Sequence, residues 1–235
     1  MIYLDSAATS FLKPKSVKLA MLRAMDTMSS PGRGAYEAAM RAADKVYECR
    51  TLACRLFNFD KPENVVFTMN ATHALNIAIK TLARHGSRVA VSGYEHNSVT
   101  RALHEIGADV TVAAGKLFDP ESVAAEFEDK VRGADLAVCN HVSNVFGFIQ
   151  PIYEISSICS RHGVPLIIDA SQSAGIEKLD CSGLDAAFIA MPGHKGLLGP
   201  QGTGILLCNE SPKPLMSGGT GSESLIQTMP EHLPD

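Results

Sequence analysis

The chain has 235 residues, of which 46% are hydrophobic and 20% charged, and carries a formal net charge of −4. That length and balance suit one large globular α/β domain with a substantial core, and the small negative charge gives no electrostatic footing for nucleic acid or an anionic membrane. No stretch reaches the ~20 apolar residues of a membrane-spanning helix. The opening Met1-Ile-Tyr-Leu-Asp5 lacks the basic start and apolar block of a secretion signal, so a cytoplasmic location is expected.

An N-terminal segment, residues 1–15, precedes a single domain over residues 16–235. Apolar residues recur at helical spacing over 16–28 and again over 35–57, separated by Ser29-Ser-Pro-Gly-Arg-Gly34. Strand-like apolar runs follow at 64–69, 88–92, 109–113, 136–140, 164–169, 186–190 and 203–208. Helical patterns at 72–84, 98–106, 120–130 and 152–161 alternate with the first five. Such alternation predicts a parallel sheet covered by helices on both faces. From 190 to 203 the chain is rich in Gly and Pro and too short for a crossover helix, so the last strand is expected to run antiparallel to its neighbour. The fold class read here is therefore α/β, a mixed, mostly parallel sheet of seven strands. The six cysteines (Cys49, Cys54, Cys139, Cys159, Cys181, Cys208) form no C-x-x-C pair. Neither a disulfide framework nor a metal site is expected.

Polar residues gather where predicted strands end, which is where open α/β sheets bind ligands. The run Asn70-Ala-Thr-His73 sits at a strand-to-helix turn, where helix N–H groups and the Thr72 hydroxyl suit a phosphate, although Asn70 or Thr72 serves equally as an N-cap. His96 follows the strand at 88–92, as a ring that can stack on a flat ligand or as an ordinary loop histidine. Asn144 can donate to a ligand oxygen or stabilise the turn before Gly147.

Asp169 ends the apolar run Leu166-Ile-Ile168 and needs a partner to stay charged there, or else it caps the backbone of Ser171. Gln172 lies just beyond it. Lys195 stands between Gly193 and Gly196, glycines that permit a strained turn and close approach of a ligand. A lysine so placed, after a strand ending in a buried aspartate, is what pyridoxal 5′-phosphate (PLP) chemistry requires. The amine forms a Schiff base with the aldehyde, and the carboxylate keeps the pyridine nitrogen protonated. Nearby positive charge and desolvation are expected to lower the proton affinity of Lys195, and His194 is placed to bind phosphate.

The set Leu4-Asp-Ser-Ala-Ala8, Asn70-Ala-Thr-His73, Glu95-His96, Asn140-His-Val-Ser-Asn144, Asp169-Ala-Ser-Gln172, Gly193-His-Lys195 and Gly218-Gly-Thr220 resembles the class V aminotransferase family, nearest to cysteine desulfurases and selenocysteine lyases. The resemblance runs the length of the chain, in order. It implies the aspartate-aminotransferase-type fold (fold type I), a homodimer, and sites at the dimer interface. It assigns Lys195 as the Schiff-base lysine, Asp169 as the pyridine partner and His96 as the stacking ring. Gln172 and Asn144 become oxygen ligands; Ala71, Thr72, His73 and His194 join the cofactor cradle; Thr220 reaches the phosphate of the neighbouring subunit. Arg33 approaches a substrate carboxylate or is a solvated loop residue.

The reaction implied is conversion of L-cysteine to L-alanine with sulfur passing to an acceptor thiol, for which an acceptor protein is a possible partner. The alternatives are an aminotransferase, another amino-acid lyase, or a PLP-binding module without turnover. Two departures stand out. Pro192 occupies a place where the family often has a phosphate-binding serine. The family also continues into a smaller C-terminal domain carrying a substrate arginine and, in desulfurases, the sulfur-accepting cysteine, and this chain is expected to lack that domain.

Overall fold

Among the described residues seven strands lie in one sheet, and their order decides which loops can meet. A computed structural model describes residues 2–32, 34–219 and 227–228. In chain order the main elements are α1 (Lys15–Thr27), α2 (Glu37–Phe57), β1 (Val65–Thr68), α3 (Ala71–Leu82), β2 (Arg88–Ser92), α4 (Asn97–Glu105) and β3 (Asp109–Ala113). They continue with α5 (Pro120–Lys130), β4 (Leu136–Asn140), α6 (Ile152–His162), β5 (Leu166–Asp169), β6 (Phe188–Pro192) and β7 (Gly204–Cys208). The sheet order is β1-β7-β6-β5-β4-β2-β3.

Strands β2 to β6 pair in parallel, while β7 pairs antiparallel with both β6 and β1. The mixed seven-stranded sheet and the reversed last strand match the sequence expectation. The reversal has a simple cause: the eleven-residue link 193–203 cannot carry a crossover helix, so the chain must turn straight back. Two reversals in succession leave β1 pointing the same way as β6. The carboxyl ends of β1, β2, β4, β5 and β6 therefore share one edge.

Both faces of the sheet are covered. Ala137, Cys139, Leu166, Ile168, Ile189 and Met191 face a core completed by α2, α5 and α6. Their chain neighbours Leu136, Val138, Ile167, Phe188 and Ala190 face a second core with α3 and α4. The period-2 alternation thus buries every residue of β4 and β6. Phe127, Phe188, Leu136 and Leu166 are fully buried, each contributing about 1.5–3 kcal/mol of transfer free energy.

The boundaries differ slightly from the periodicity. Helix α2 starts at Glu37 because Tyr36 is extended at ψ 152°. Strand β5 starts at Leu166, after Pro165, which has no N–H for the ladder. Strand β6 begins two residues late because the Ala186 carbonyl is taken by the Asn209 side chain at 2.9 Å.

Candidate active site

The shared edge gathers one cavity. Asn70, Ala71 and Thr72 come from β1–α3; His96 from β2–α4; Asn144 from β4; Asp169 and Gln172 from β5; His194 and Lys195 from β6. Of the sequence candidates, these are brought together. His73 is not. Its ring Nδ1 accepts the N–H of Met69 at 3.2 Å, and its own N–H is taken by Asn70 Oδ1 at 2.8 Å. One residue along a helix is a 100° rotation, which separates His73 from Thr72. Arg33 and Thr220 lie outside the described residues.

Two helix N-termini open into this cavity. At α3, the Asn70 side chain caps His73 N–H and its carbonyl accepts from Ala74 at 3.1 Å, which leaves the N–H groups of Ala71 and Thr72 outside the helix ladder. The N-cap and the anion-site readings of this turn are therefore compatible. At α4, the His96 ring is itself the cap, with Nδ1 accepting Ser98 N–H at 3.1 Å. The Ser98 hydroxyl bridges His96 Nδ1 and Thr72 Oγ1, each at 2.8 Å. Ser98 and Asn140 line the cavity as well; the sequence reading assigned neither. The Ser at the second helical position after His96 was the available signal for the first.

Asp169 is 3% exposed. Ser171 N–H donates to its Oδ1 at 2.9 Å, so the capping contact is present. Among the described residues no cation pairs with this carboxylate at salt-bridge distance. Burial raises its proton affinity, partly offset by Ser171 and by the charges of Lys195 and His96. Lys195 is half-buried and its proton affinity is lowered by desolvation, with Asp169 acting in the opposite direction. The expected help from nearby positive charge is thus corrected: the neighbouring charge that bears on Lys195 is negative.

The glycines beside Lys195 also need a different account. Neither Gly193 nor Gly196 has positive φ; close packing is what demands them. A Cβ on Gly193 would meet Thr203, whose own Cβ lies 3.1 Å away, and one on Gly196 would run into the Ala174 carbonyl. Gln172 Nε2 donates to Ala7 O at 2.9 Å, one of several contacts with the N-terminal segment. Thr9, Ser10 and Lys13 all reach His194.

Behind the cavity sits a buried polar network that the sequence reading missed. Glu95 Oε1 accepts Ser92 Oγ at 2.5 Å and Asn140 N–H at 2.8 Å, and Asn140 is the register partner of Asp169 across β4–β5. Glu95 Oε2 is buried without a partner among the described residues, and burial pushes the carboxyl up to about 8. Alternation alone marks Ser92 and Asn140 as strand residues; only the register brings them to Glu95.

Among the described residues, no helix is long and apolar enough to cross a membrane. None of them forms a cluster of three or more His, Cys, Asp or Glu side chains able to hold a metal.

The family model described as aminotransferase class-V matches residues 2–230. A probable cysteine desulfurase of Methanothermobacter thermautotrophicus is 36% identical over 234 residues, which cover 93% of this chain and 56% of that protein. The cysteine desulfurase IscS of Shewanella denitrificans is 33% identical, covering 90% of this chain and 54% of its own length. Among solved structures, the apo cysteine desulfurase from Thermococcus onnurineus NA1 superposes with a TM-score of 0.84 at 31% identity, over 93% of this chain and 57% of that one. SspA in complex with cysteine gives 0.83 at 29% identity, covering 92% and 65%. The chain spans about half the length of the curated relatives it matches.

Proposed function

This chain belongs to the class-V aminotransferase family, and from that premise we propose that it is the PLP-binding large domain of a cysteine desulfurase-like enzyme, working as a homodimer. The observation that carries the reading is Asp169, a buried carboxylate to which no cation among the described residues is paired, lining the same cavity as Lys195. A buried anion of this kind requires a partner, and a protonated pyridine nitrogen fits. Two helix N-termini beside it fit a phosphate.

Bound PLP supplies an electron sink for negative charge developing at a substrate Cα. The protein's part is positioning and proton handling. Asp169, oriented by Ser171 N–H, would hold the ring nitrogen protonated. The N–H groups of Ala71 and Thr72, the Thr72 hydroxyl and His194 would hold the phosphate. His96 would lie over the ring face, with Asn144 and Gln172 donating to the ring oxygen. Lys195 would bind the aldehyde and, once displaced by a substrate amine, move the proton at the substrate Cα; its lowered proton affinity suits both tasks. L-Cysteine is the leading substrate, yielding alanine and passing sulfur to an acceptor thiol. Thr220 would reach the partner's phosphate, and Arg33 a substrate carboxylate.

The test is direct. Purified chain mixed with PLP should develop a visible absorption band that Lys195→Ala abolishes; folded wild-type protein without such a band overturns the cofactor assignment. Alanine and sulfide release from cysteine, by this chain alone and with a separately supplied C-terminal segment, tests the reaction.

A further inference from the structure

We infer that Thr9 and Lys13 are positioning residues that hold His194 as the tautomer with its proton on Nε2, ready to donate to a phosphate oxygen in the cavity. The inference deepens the PLP reading above and rests on it for the identity of the phosphate. It draws on the N-terminal segment, which lies 185 residues from His194 in sequence yet grips it by both backbone and ring.

Thr9 has one hydroxyl proton and two acceptors within reach, His194 O at 3.0 Å and His194 Nδ1 at 2.9 Å. If the proton goes to the carbonyl, Nδ1 must be the donor toward Thr9, and a neutral ring then turns a bare lone pair at Nε2 toward the phosphate. If it goes to Nδ1, Nε2 carries the proton and can donate.

The carbonyl decides between them. It has two lone pairs, yet three donors meet it before Thr9 is counted. Ser10 N–H lies at 3.1 Å, the Ser10 hydroxyl at 2.9 Å and the Lys13 ammonium at 2.6 Å. Lys13 also donates to Ser10 Oγ at 2.5 Å, which turns the Ser10 proton onto the carbonyl. With the carbonyl saturated, the Thr9 proton belongs to Nδ1.

Lys13 acts a second time through its charge. Desolvation, then Lys195, then Lys13 disfavour a protonated His194, so the ring is neutral and its tautomer matters. Pro192, which also lines the cavity, has neither hydroxyl nor N–H to offer. The phosphate therefore depends more heavily on His194.

The experiment compares PLP with pyridoxal, which lacks the phosphate, by absorbance titration of wild-type chain, Thr9→Val, Thr9→Ser and Lys13→Met. Thr9→Val should weaken PLP roughly tenfold, the low end for a hydrogen bond to a charged group, and leave pyridoxal within about twofold. Thr9→Ser should restore wild-type discrimination. Lys13→Met should lower PLP affinity about threefold, because without the Lys13 ammonium the Ser10 hydroxyl is no longer held on the carbonyl and a lone pair opens to the Thr9 proton. Equal losses for both ligands in Thr9→Val, or no loss for either, overturn the inference. Nitrogen-15 NMR of histidine-labelled chain at mildly alkaline pH reads the tautomer without any ligand. Wild type should carry the His194 proton on Nε2, with a shift toward Nδ1 in Lys13→Met. A proton on Nδ1 in wild type refutes the inference even if PLP binds, whereas failure of wild type to capture either ligand refutes the PLP reading.

Discussion

Glu95→Gln should change how stability depends on pH without changing the fold. The Glu95 carboxyl is held near 8 by burial, against an ordinary value of 4.5, so between those limits the folded chain keeps a proton that the unfolded chain releases. Stability then falls as pH rises, by at most about 1.4 kcal/mol per pH unit. His141 works in the opposite sense. Its buried ring has no partner at Nδ1 among the described residues and is pushed down to about 4, so its contribution to stability is present above 6.5 and lost as pH falls toward 4. The two slopes oppose each other up to pH 6.5, and above it only Glu95 remains. From pH 6.5 to 8 wild type should therefore lose on the order of 2 kcal/mol relative to Glu95→Gln. The glutamine carbonyl can still accept from Ser92 and Asn140. Urea unfolding of both proteins across this range is the assay, and parallel curves between pH 6.5 and 8 would refute the reasoning.

Gly196→Ala should cost about 1–3 kcal/mol, because its Cβ displaces the Ala174 backbone carbonyl rather than a flexible side chain; urea midpoints measure this, and a cost near zero contradicts the packing account. The same variant should slow PLP capture by moving the loop that carries Lys195. Asp169→Asn should leave stability within about 1 kcal/mol, since the amide oxygen can still cap Ser171. Alanine formation from cysteine should nevertheless fall by well over tenfold, or ~1.4 kcal/mol of barrier; turnover within tenfold of wild type contradicts its role as pyridine partner.

Most of the fold was legible because its signals are local. The runs at 88–92, 109–113 and 136–140 became β2, β3 and β4 without a change of boundary, and the helix at 120–130 became α5. Asp119 caps α5 by accepting Ser122 N–H at 3.0 Å, with Pro120 at its start. Strand ends also told which loops hold the site, because parallel strands deliver their carboxyl ends to one edge. What stayed hidden was direction and register. His73 and Thr72 are adjacent in sequence but point to different places on α3. Glu95 reads as part of a motif, yet its contact with Asn140 depends on β2 and β4 lying side by side. The clasp on His194 joins residues 9–13 to the end of β6, a pairing that no periodicity encodes.

The most direct test of the account is to mix the chain with PLP, reduce with borohydride and map the modified lysine by peptide mass spectrometry. The account predicts a single phosphopyridoxyl group on Lys195. Modification spread over surface lysines, with Lys195 unmodified in folded protein, would contradict it.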